Sequence, residues 1–380
     1  MSEIKEAVKK IKNEKVHPVK KIKTGCTIYD LDLGGGLPEG RIVNYVGDSS
    51  SGKTLFVIEF MAYCLHYIEN VRKKYDDAEA GFTFDTKEMY DFEFEKNEVV
   101  SSKTVDDFAY NTYTFLNEID NKDYGIYVLD CLDALTSIED DERFDKKISE
   151  TEKKKNGDKI EKSSGSYKVE KAKQIGEYLR QFCSILLKKS CTLFIISQVR
   201  DNIGVTIGAK NKRSGGRALQ FYCGVVVWLA EAHKLKKTVK GKEIEVGIRV
   251  KYKVTKNKCG GRPFVTNFID ILYFYGIDNT RTNINYLYDT LTDTGKPAKG
   301  KNKLNWDGKE YTIQKLIEHI EDNSLEDELE RRVVEKWNSI NDEVDPKKTR
   351  KKRFKKVVSN DKSEREERPK KNRKKKDNIS

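Results

Sequence analysis

Eight consecutive residues constrain this chain more than any other feature. Gly47-Asp48-Ser49-Ser50-Ser51-Gly52-Lys53-Thr54 match the GxxxxGK[ST] phosphate loop. The run Arg41-Ile42-Val43-Asn44-Tyr45-Val46 before them reads as a short buried strand. The run Leu55-Phe56-Val57-Ile58-Glu59-Phe60-Met61-Ala62 after them is apolar enough for a packed helix. A strand, a glycine-rich turn and a helix start make an anion site, because the N–H groups of the loop and of the helix N-terminus converge on one point. Lys53 is placed to reach β- and γ-phosphate oxygens, and the Thr54 hydroxyl to ligate Mg²⁺. The chain is expected to bind a nucleoside triphosphate.

At 380 residues the chain exceeds the usual size of one domain. Its hydrophobic fraction of 37% is low and its charged fraction of 36% is high, so part of it must be solvated. No apolar run approaches the roughly 18 residues that span a bilayer, and the Lys-rich start is not followed by an apolar stretch. A soluble, cytoplasmic protein with no membrane partner is expected. The seven cysteines, odd in number and never spaced as CxxC, read as small buried hydrophobes in a reducing compartment. The four histidines fit no zinc spacing.

The net charge of +12 belongs to one segment. Residues 346–380 hold seventeen Lys/Arg and five Asp/Glu, which accounts for the whole excess. Such a low-complexity tail cannot bury enough surface to fold. It has the composition to condense on phosphate backbones, giving salt-sensitive, sequence-independent affinity, or else to act as a solubilising tail.

Residues 2–16 are predicted to form a short amphipathic helix through Ile4, Val8 and Ile11, ended by Pro18. From residue 41 to about 275, apolar runs alternate with helical patterns. The runs 125–130, 192–197, 225–229 and 248–254 are strand candidates, and residues 166–187 are a helix candidate. Runs apolar on both faces and separated by helices indicate an α/β fold with a mostly parallel sheet covered on both sides. The stretch 139–165 is charged and aperiodic and reads as a loop. Trp306-Asp307-Gly308 signals a turn into a small helical module.

Hydrolysis at a phosphate loop needs a carboxylate beside Mg²⁺, a carboxylate to activate water and a group that senses the γ-phosphate. Asp130, ending an apolar strand, is the natural Mg²⁺ partner of Thr54. For the base, Glu79 is favoured at the end of the strand after the phosphate-loop helix, but Asp76, Asp77 and Glu88 are rivals that spacing does not separate. Gln198, just after the run 192–197, is placed to sense a terminal phosphate.

Several motifs together resemble the RecA recombinase family. They are Thr24-Gly25, Gly35-Gly36-Leu37-Pro38-Glu39-Gly40-Arg41-Ile42-Val43, the Ser-rich phosphate loop, Asp77-Ala78-Glu79 and Leu129-Asp130-Cys131-Leu132-Asp133-Ala134-Leu135. Gln198 to Val205, Gly215 to Tyr222 and Lys256-Asn257-Lys258 complete the series. The resemblance covers roughly residues 20–345 and implies a RecA-type phosphate-loop ATPase core at 23–280. It also implies an N-terminal arm at 1–22, a small C-terminal domain at 281–345 and the tail at 346–380.

The resemblance implies that Glu79 activates water and that Gln198 couples the γ-phosphate to a DNA-binding loop at 199–214. It places Arg200, Gly215, Gly216 and Arg217 near DNA phosphates and Ile207 as a wedge between base triplets. Lys210, Lys212 and Arg213 add basic charge there, and Arg180 matches a phosphate-contacting arginine. Lys256 and Lys258 match a pair that reaches a neighbouring subunit's nucleotide. The departures are a short N-terminal segment, a longer and more charged loop at 139–165, a more basic second loop and a basic tail. The implied protein is an ATP- and Mg²⁺-dependent recombinase that forms filaments on single-stranded DNA and pairs it with double-stranded DNA. A ring helicase motor on the same core, and a DNA-coating protein that uses ATP as a switch, are the alternatives.

Overall fold

The computed structural model describes residues 19–138, 142, 146, 148, 168–201, 211–213, 216–345 and 349–351. The predicted helix at 2–16, most of the 139–165 loop and nearly all of the basic tail lie outside them. The chain divides into two compact units, Met1–Trp337 and Asn338–Ser380.

The elements begin with β1 (Lys21–Ile22), α1 (Thr27–Leu33), β2 (Leu37–Pro38), β3 (Ile42–Gly47) and α2 (Lys53–Tyr67). Next come β4 (Val71–Asp77), α3 (Thr86–Tyr90), β5 (Val99–Val100), α4 (Val105–Glu118), β6 (Tyr124–Asp130) and α5 (Lys168–Lys188). Then follow β7 (Cys191–Asp201), β8 (Asn211–Arg213), α6 (Gly216–Tyr222), β9 (Val225–Val239), β10 (Lys242–Asn257), β11 (Thr266–Leu272) and β12 (Gly276–Ile277). The last are α7 (Asn279–Tyr288), β13 (Leu304–Trp306), β14 (Lys309–Tyr311), α8 (Ile313–Asp322) and α9 (Glu326–Val344).

The main sheet runs β12-β11-β10-β9-β3-β7-β6-β4-β5, with β8 paired to β7. From β9 to β5 the neighbours are parallel, and β10, β11 and β12 extend the sheet antiparallel. Alternation along the central strands explains why their sequences are apolar throughout. On β3 and β7, Val43, Tyr45, Phe194 and Ile196 pack under α2 with Phe56 and Phe60. Their neighbours Ile42, Val46, Leu193 and Ile195 pack on the other face with Phe108 of α4 and Leu179 and Phe182 of α5. Each such buried side chain stabilises the sheet by about 1.5–3 kcal/mol relative to exposure. Asn44, buried between them, is satisfied by Ile195 O and Ser197 Oγ, at 2.8 and 2.9 Å from its Nδ2.

Two strands are longer than their apolar runs. β9 has 15 residues and β10 has 16, and from Ala230 to Glu243 the chain is mostly exposed. The two strands pair as a ribbon closed by Lys240 and Gly241, both at positive φ, the geometry of a tight hairpin turn. Its lysines carry no apolar alternation, which is why only 225–229 and 248–254 read as strand.

A smaller cluster joins Ile284, Leu304, Trp306, Leu316, Ile317, Ile320, Leu329 and Val333. The Arg332 guanidinium lies 3.9 Å from the centre of the Trp306 ring. Trp337 Nε1, from the middle of α9, donates to Asp32 of α1 at 2.9 Å. Among the described residues, no helix is long and apolar enough to cross a membrane.

Candidate active site

The phosphate loop leaves β3 at Gly47 and enters α2 at Lys53, as its sequence requires. A Cβ on Gly47 would stand 2.4 Å from Ser51 Oγ and 2.5 Å from Leu229 O, so only glycine fits there. Gly52, at φ +86°, precedes α2 and supplies no side-chain cap. The N–H groups of the first turn of α2 are thus left for an anion. Within the loop, the Ser51 hydroxyl and the Lys53 ammonium both donate to Asp48 O, at 2.8 and 2.6 Å. Burial lowers the pKa of Lys53, opposed by the charges of Asp130 and Glu79.

Strand register brings the carboxylates to the same end of the sheet. Asp77 of β4 pairs with Asp130 of β6, and Gly47 of β3 pairs with Gln198 of β7. Thr54 Oγ1 donates to Asp130 Oδ2 at 2.6 Å, so the two expected Mg²⁺ residues meet. The phenol of Tyr75 donates to the same oxygen, also at 2.6 Å. Burial raises the pKa of Asp130, and these two donors oppose that.

The rivals for the water-activating base separate once their partners are seen. Asp76 is buried, with its carboxylate taken by the Ser102 N–H and hydroxyl and by the Tyr127 phenol. Asp77 accepts from the backbone N–H groups of Gly81 and Phe82. Glu88 lies in the first turn of α3. Glu79 faces the loop: its Oε1 accepts from Gln198 Nε2 at 2.6 Å and from the Cys131 thiol. Gln198 N in turn donates to Asp133 Oδ2 at 2.8 Å. Donor atoms of Glu79, Asp130 and Cys131 lie within 4.8 Å of one another. The hydroxyl and two carboxylates suit a hard divalent cation such as Mg²⁺.

Beside Lys53 and Thr54 opens a cavity of about 570 Å³, lined by two segments distant in sequence, Thr83 to Asp85 with Glu88 and Met89, and Leu272 to Phe274. It has room for a nucleotide base, and Phe84, Tyr273 and Phe274 offer aromatic surfaces to it.

The remaining predicted residues lie apart from this cluster. Lys256 pairs with Val226, which pairs with Asn44, so it sits about three residues back along the strands from Gly47. Its ammonium donates to the carbonyls of Gln220 and Phe221 at the end of α6. Lys258 Nζ lies 5.5 Å over the Phe221 ring. Arg180 is exposed on α5 and lines a shallow depression with Lys173, Glu177 and Phe221. The backbones of Arg200, Lys212 and Arg213 pair in the β7–β8 ribbon, and those of Gly216 and Arg217 open α6. Ile207, Lys210 and Gly215 lie outside the described residues. Tyr75, Cys131 and Asp133 join the site without having been expected in it. The one available sequence signal was strand alternation, which puts Tyr75 on the same face of β4 as Asp77.

This fold and site define a phosphate-loop nucleotide hydrolase whose candidate base, Glu79, follows the strand next to the one that ends in the candidate metal ligand Asp130. The family signature described as the RecA N-terminal domain matches residues 3–143 and 144–278. Protein RecA of Synechococcus elongatus is 30% identical over 315 residues, 79% of this chain and 77% of the relative. Protein RecA of Rippkaea orientalis is 28% identical over 327 residues, 84% and 83% of the two chains. Protein RecA of a Nostoc species is 30% identical over 285 residues, 73% and 69%. The chain belongs to the RecA family of recombinases, which are DNA-dependent ATPases.

Proposed function

We propose that this chain assembles as a helical filament on single-stranded DNA, pairs it with a homologous duplex and resets the filament by hydrolysing ATP. The observation that carries the reading is the position of Gln198. Its side chain holds Glu79 at the triphosphate end of the sheet, and its backbone runs on into the β7–β8 ribbon that frames the expected DNA loop. One residue therefore touches both the candidate base and the segment expected to grip DNA.

In this reading the loop N–H groups and Lys53 bind the triphosphate, and Thr54 with Asp130 hold Mg²⁺, which supplies charge neutralisation at the phosphates. Glu79 accepts a proton from the attacking water, positioned by Gln198 and Cys131. The base would occupy the cavity lined by Phe84, Tyr273 and Phe274. Lys256 and Lys258, set back from their own chain's loop, act on the nucleotide of the adjacent subunit, so turnover requires assembly. Two cations at a developing γ-phosphate charge make a large contribution to the transition state. Arg200, Lys212, Arg213 and Arg217 contact DNA phosphates.

The test is ATP hydrolysis with and without single-stranded DNA, followed by electron microscopy of the same mixture, with Lys53→Ala as the inactive control. Stimulated turnover with helical filaments supports the reading. Closed rings would point to a helicase motor, and stimulation without either assembly would overturn the role given to Lys256 and Lys258.

A further inference from the structure

The cavity beside the phosphate loop is lined by two segments far apart in sequence, and one partly buried carboxylate touches the ends of both. We propose that Glu59 is a positioning residue for the nucleotide base: from the helix that carries the phosphate loop, it holds the two walls of the cavity at a fixed separation. The inference rests on the reading that this cavity takes the base of ATP.

Glu59 lies on α2, between one and two turns beyond Lys53 and Thr54. Its Oε2 accepts from the phenol of Tyr90 at 2.7 Å and from the backbone N–H of Ile277 at 3.2 Å. Tyr90 ends α3, the helix that follows Thr83 to Asp85 and bears Glu88 and Met89 on the cavity. Ile277 follows the Tyr273–Phe274 wall by three residues. A single oxygen, anchored to the phosphate-binding helix, therefore receives one donor from each wall. A hydrogen bond to a carboxylate is about twice as strong as one between neutral groups, and partial burial limits competition from water.

Two further observations show that the junction is built for close approach. Gly276 has φ +104°, and a Cβ there would lie 2.6 Å from both Glu59 Oε2 and the Tyr90 hydroxyl. Any side chain at 276 would push the two walls apart or break the contact with Glu59. In addition, His66, two turns further along α2, meets Tyr90 O through its Nε2 at 2.7 Å. The helix thus grips Tyr90 at its hydroxyl and at its carbonyl, while the ring lies against Phe92 at 6.5 Å between centroids. None of these groups touches the phosphate loop, so the arrangement acts on the base and not on the triphosphate.

The experiment uses the full chain and two probes, ATP and inorganic tripolyphosphate, which shares the phosphates and lacks the base. Affinities are measured by calorimetry for wild type, Tyr90→Phe, Glu59→Ala and Glu59→Gln, with KM and kcat for ATP hydrolysis alongside. Tyr90→Phe and Glu59→Ala are expected to weaken ATP by about tenfold, the value of one such hydrogen bond, with tripolyphosphate within about twofold. KM should rise with kcat held. Glu59→Gln, whose amide oxygen still accepts both donors, should restore ATP affinity to within about threefold of wild type. Equal losses for ATP and tripolyphosphate, or no loss for either, would overturn the proposal. Should Glu59→Ala fail to fold, Tyr90→Phe, which keeps its ring, still decides. A wild-type chain that binds neither probe would instead overturn the nucleotide reading itself.

Discussion

Replacing Tyr75 by Phe removes one hydroxyl group, whose oxygen lies 2.6 Å from Asp130 Oδ2. Its ring stays packed, 4.5 Å from Phe82 and 5.9 Å from Phe94 between centroids. Only the support of Asp130, the carboxylate proposed to hold the metal, changes. A hydrogen bond to a charged group is worth about 1.5–3 kcal/mol, which at about 1.4 kcal/mol per tenfold is roughly 10- to 150-fold in an equilibrium constant. Removal of outer-shell partners of metal ligands typically costs about 10–100-fold in metal affinity, the same range reached independently. The low end applies here, because Thr54 Oγ1 still donates to that oxygen at 2.6 Å. The expected result is an approximately tenfold rise in the Mg²⁺ concentration that half-saturates ATP hydrolysis, with the rate at saturating Mg²⁺ within about twofold of wild type. Mn²⁺ binding to the ADP complex, followed by electron paramagnetic resonance, should weaken in parallel without any turnover. An unchanged half-saturation point in a variant that melts normally would refute the assignment of Asp130 as the metal carboxylate. So would a rate that no Mg²⁺ concentration restores.

Lys256→Ala should lower DNA-stimulated turnover by about a thousandfold, the low end for a trans-acting cation on a phosphoryl group, while ATP affinity measured by calorimetry stays within a few-fold. Normal turnover would remove Lys256 from the site and leave it as a clasp on Gln220 and Phe221. Deleting residues 346–380 should flatten the dependence of DNA affinity on salt, read as the slope of log K against log salt. An unchanged slope would make the tail a solubilising device. The pH dependence of stability should show the buried acids. Burial pushes Glu59 from an ordinary value of 4.5, and Asp30 from 3.8, up to about 7. Between those limits the native state holds protons that the unfolded chain has released, so their contribution is complete at low pH and is lost as pH rises to about 7. Urea denaturation from pH 5 to 7 should therefore show a slope shallower by up to about 1.4 kcal/mol per pH unit in Glu59→Gln than in wild type, and equal slopes would contradict it.

What could be read from the sequence was whatever is contiguous. The phosphate loop occupies eight adjacent positions, and the central strands are apolar on both faces because both faces are covered. Glu79 could not be separated from Asp76 and Asp77 by spacing, since what distinguishes them lies on other elements. Ser102 and Tyr127 occupy Asp76, and turn N–H groups occupy Asp77. Tyr75 and Glu59 were illegible for the same reason: each looks like one more residue of a strand or a helix until register and packing bring it to Asp130 or to Tyr90. The β9–β10 ribbon escaped because its lysines carry no period of two.

The position of Gln198 also shapes how a signal would pass from nucleotide to DNA. On the proposed reading, its amide has two claimants, Glu79 Oε1 and an oxygen of the terminal phosphate. Its backbone N–H is fixed on Asp133, so the residue pivots there and does not slide. Drawing the amide toward a phosphate frees Glu79 for water and turns the end of β7 at the same time. The antiparallel pairing of Val199 with Arg213 then carries that turn into both strands of the ribbon at once. Asp133→Asn should keep a pivot through its side-chain oxygen, whereas Asp133→Ala removes it. If the pivot transmits the signal, Asp133→Ala loses DNA stimulation of hydrolysis while DNA-independent hydrolysis persists, and Asp133→Asn retains both. Loss of both activities in Asp133→Ala would instead mean that Asp133 acts on the hydrolytic site itself.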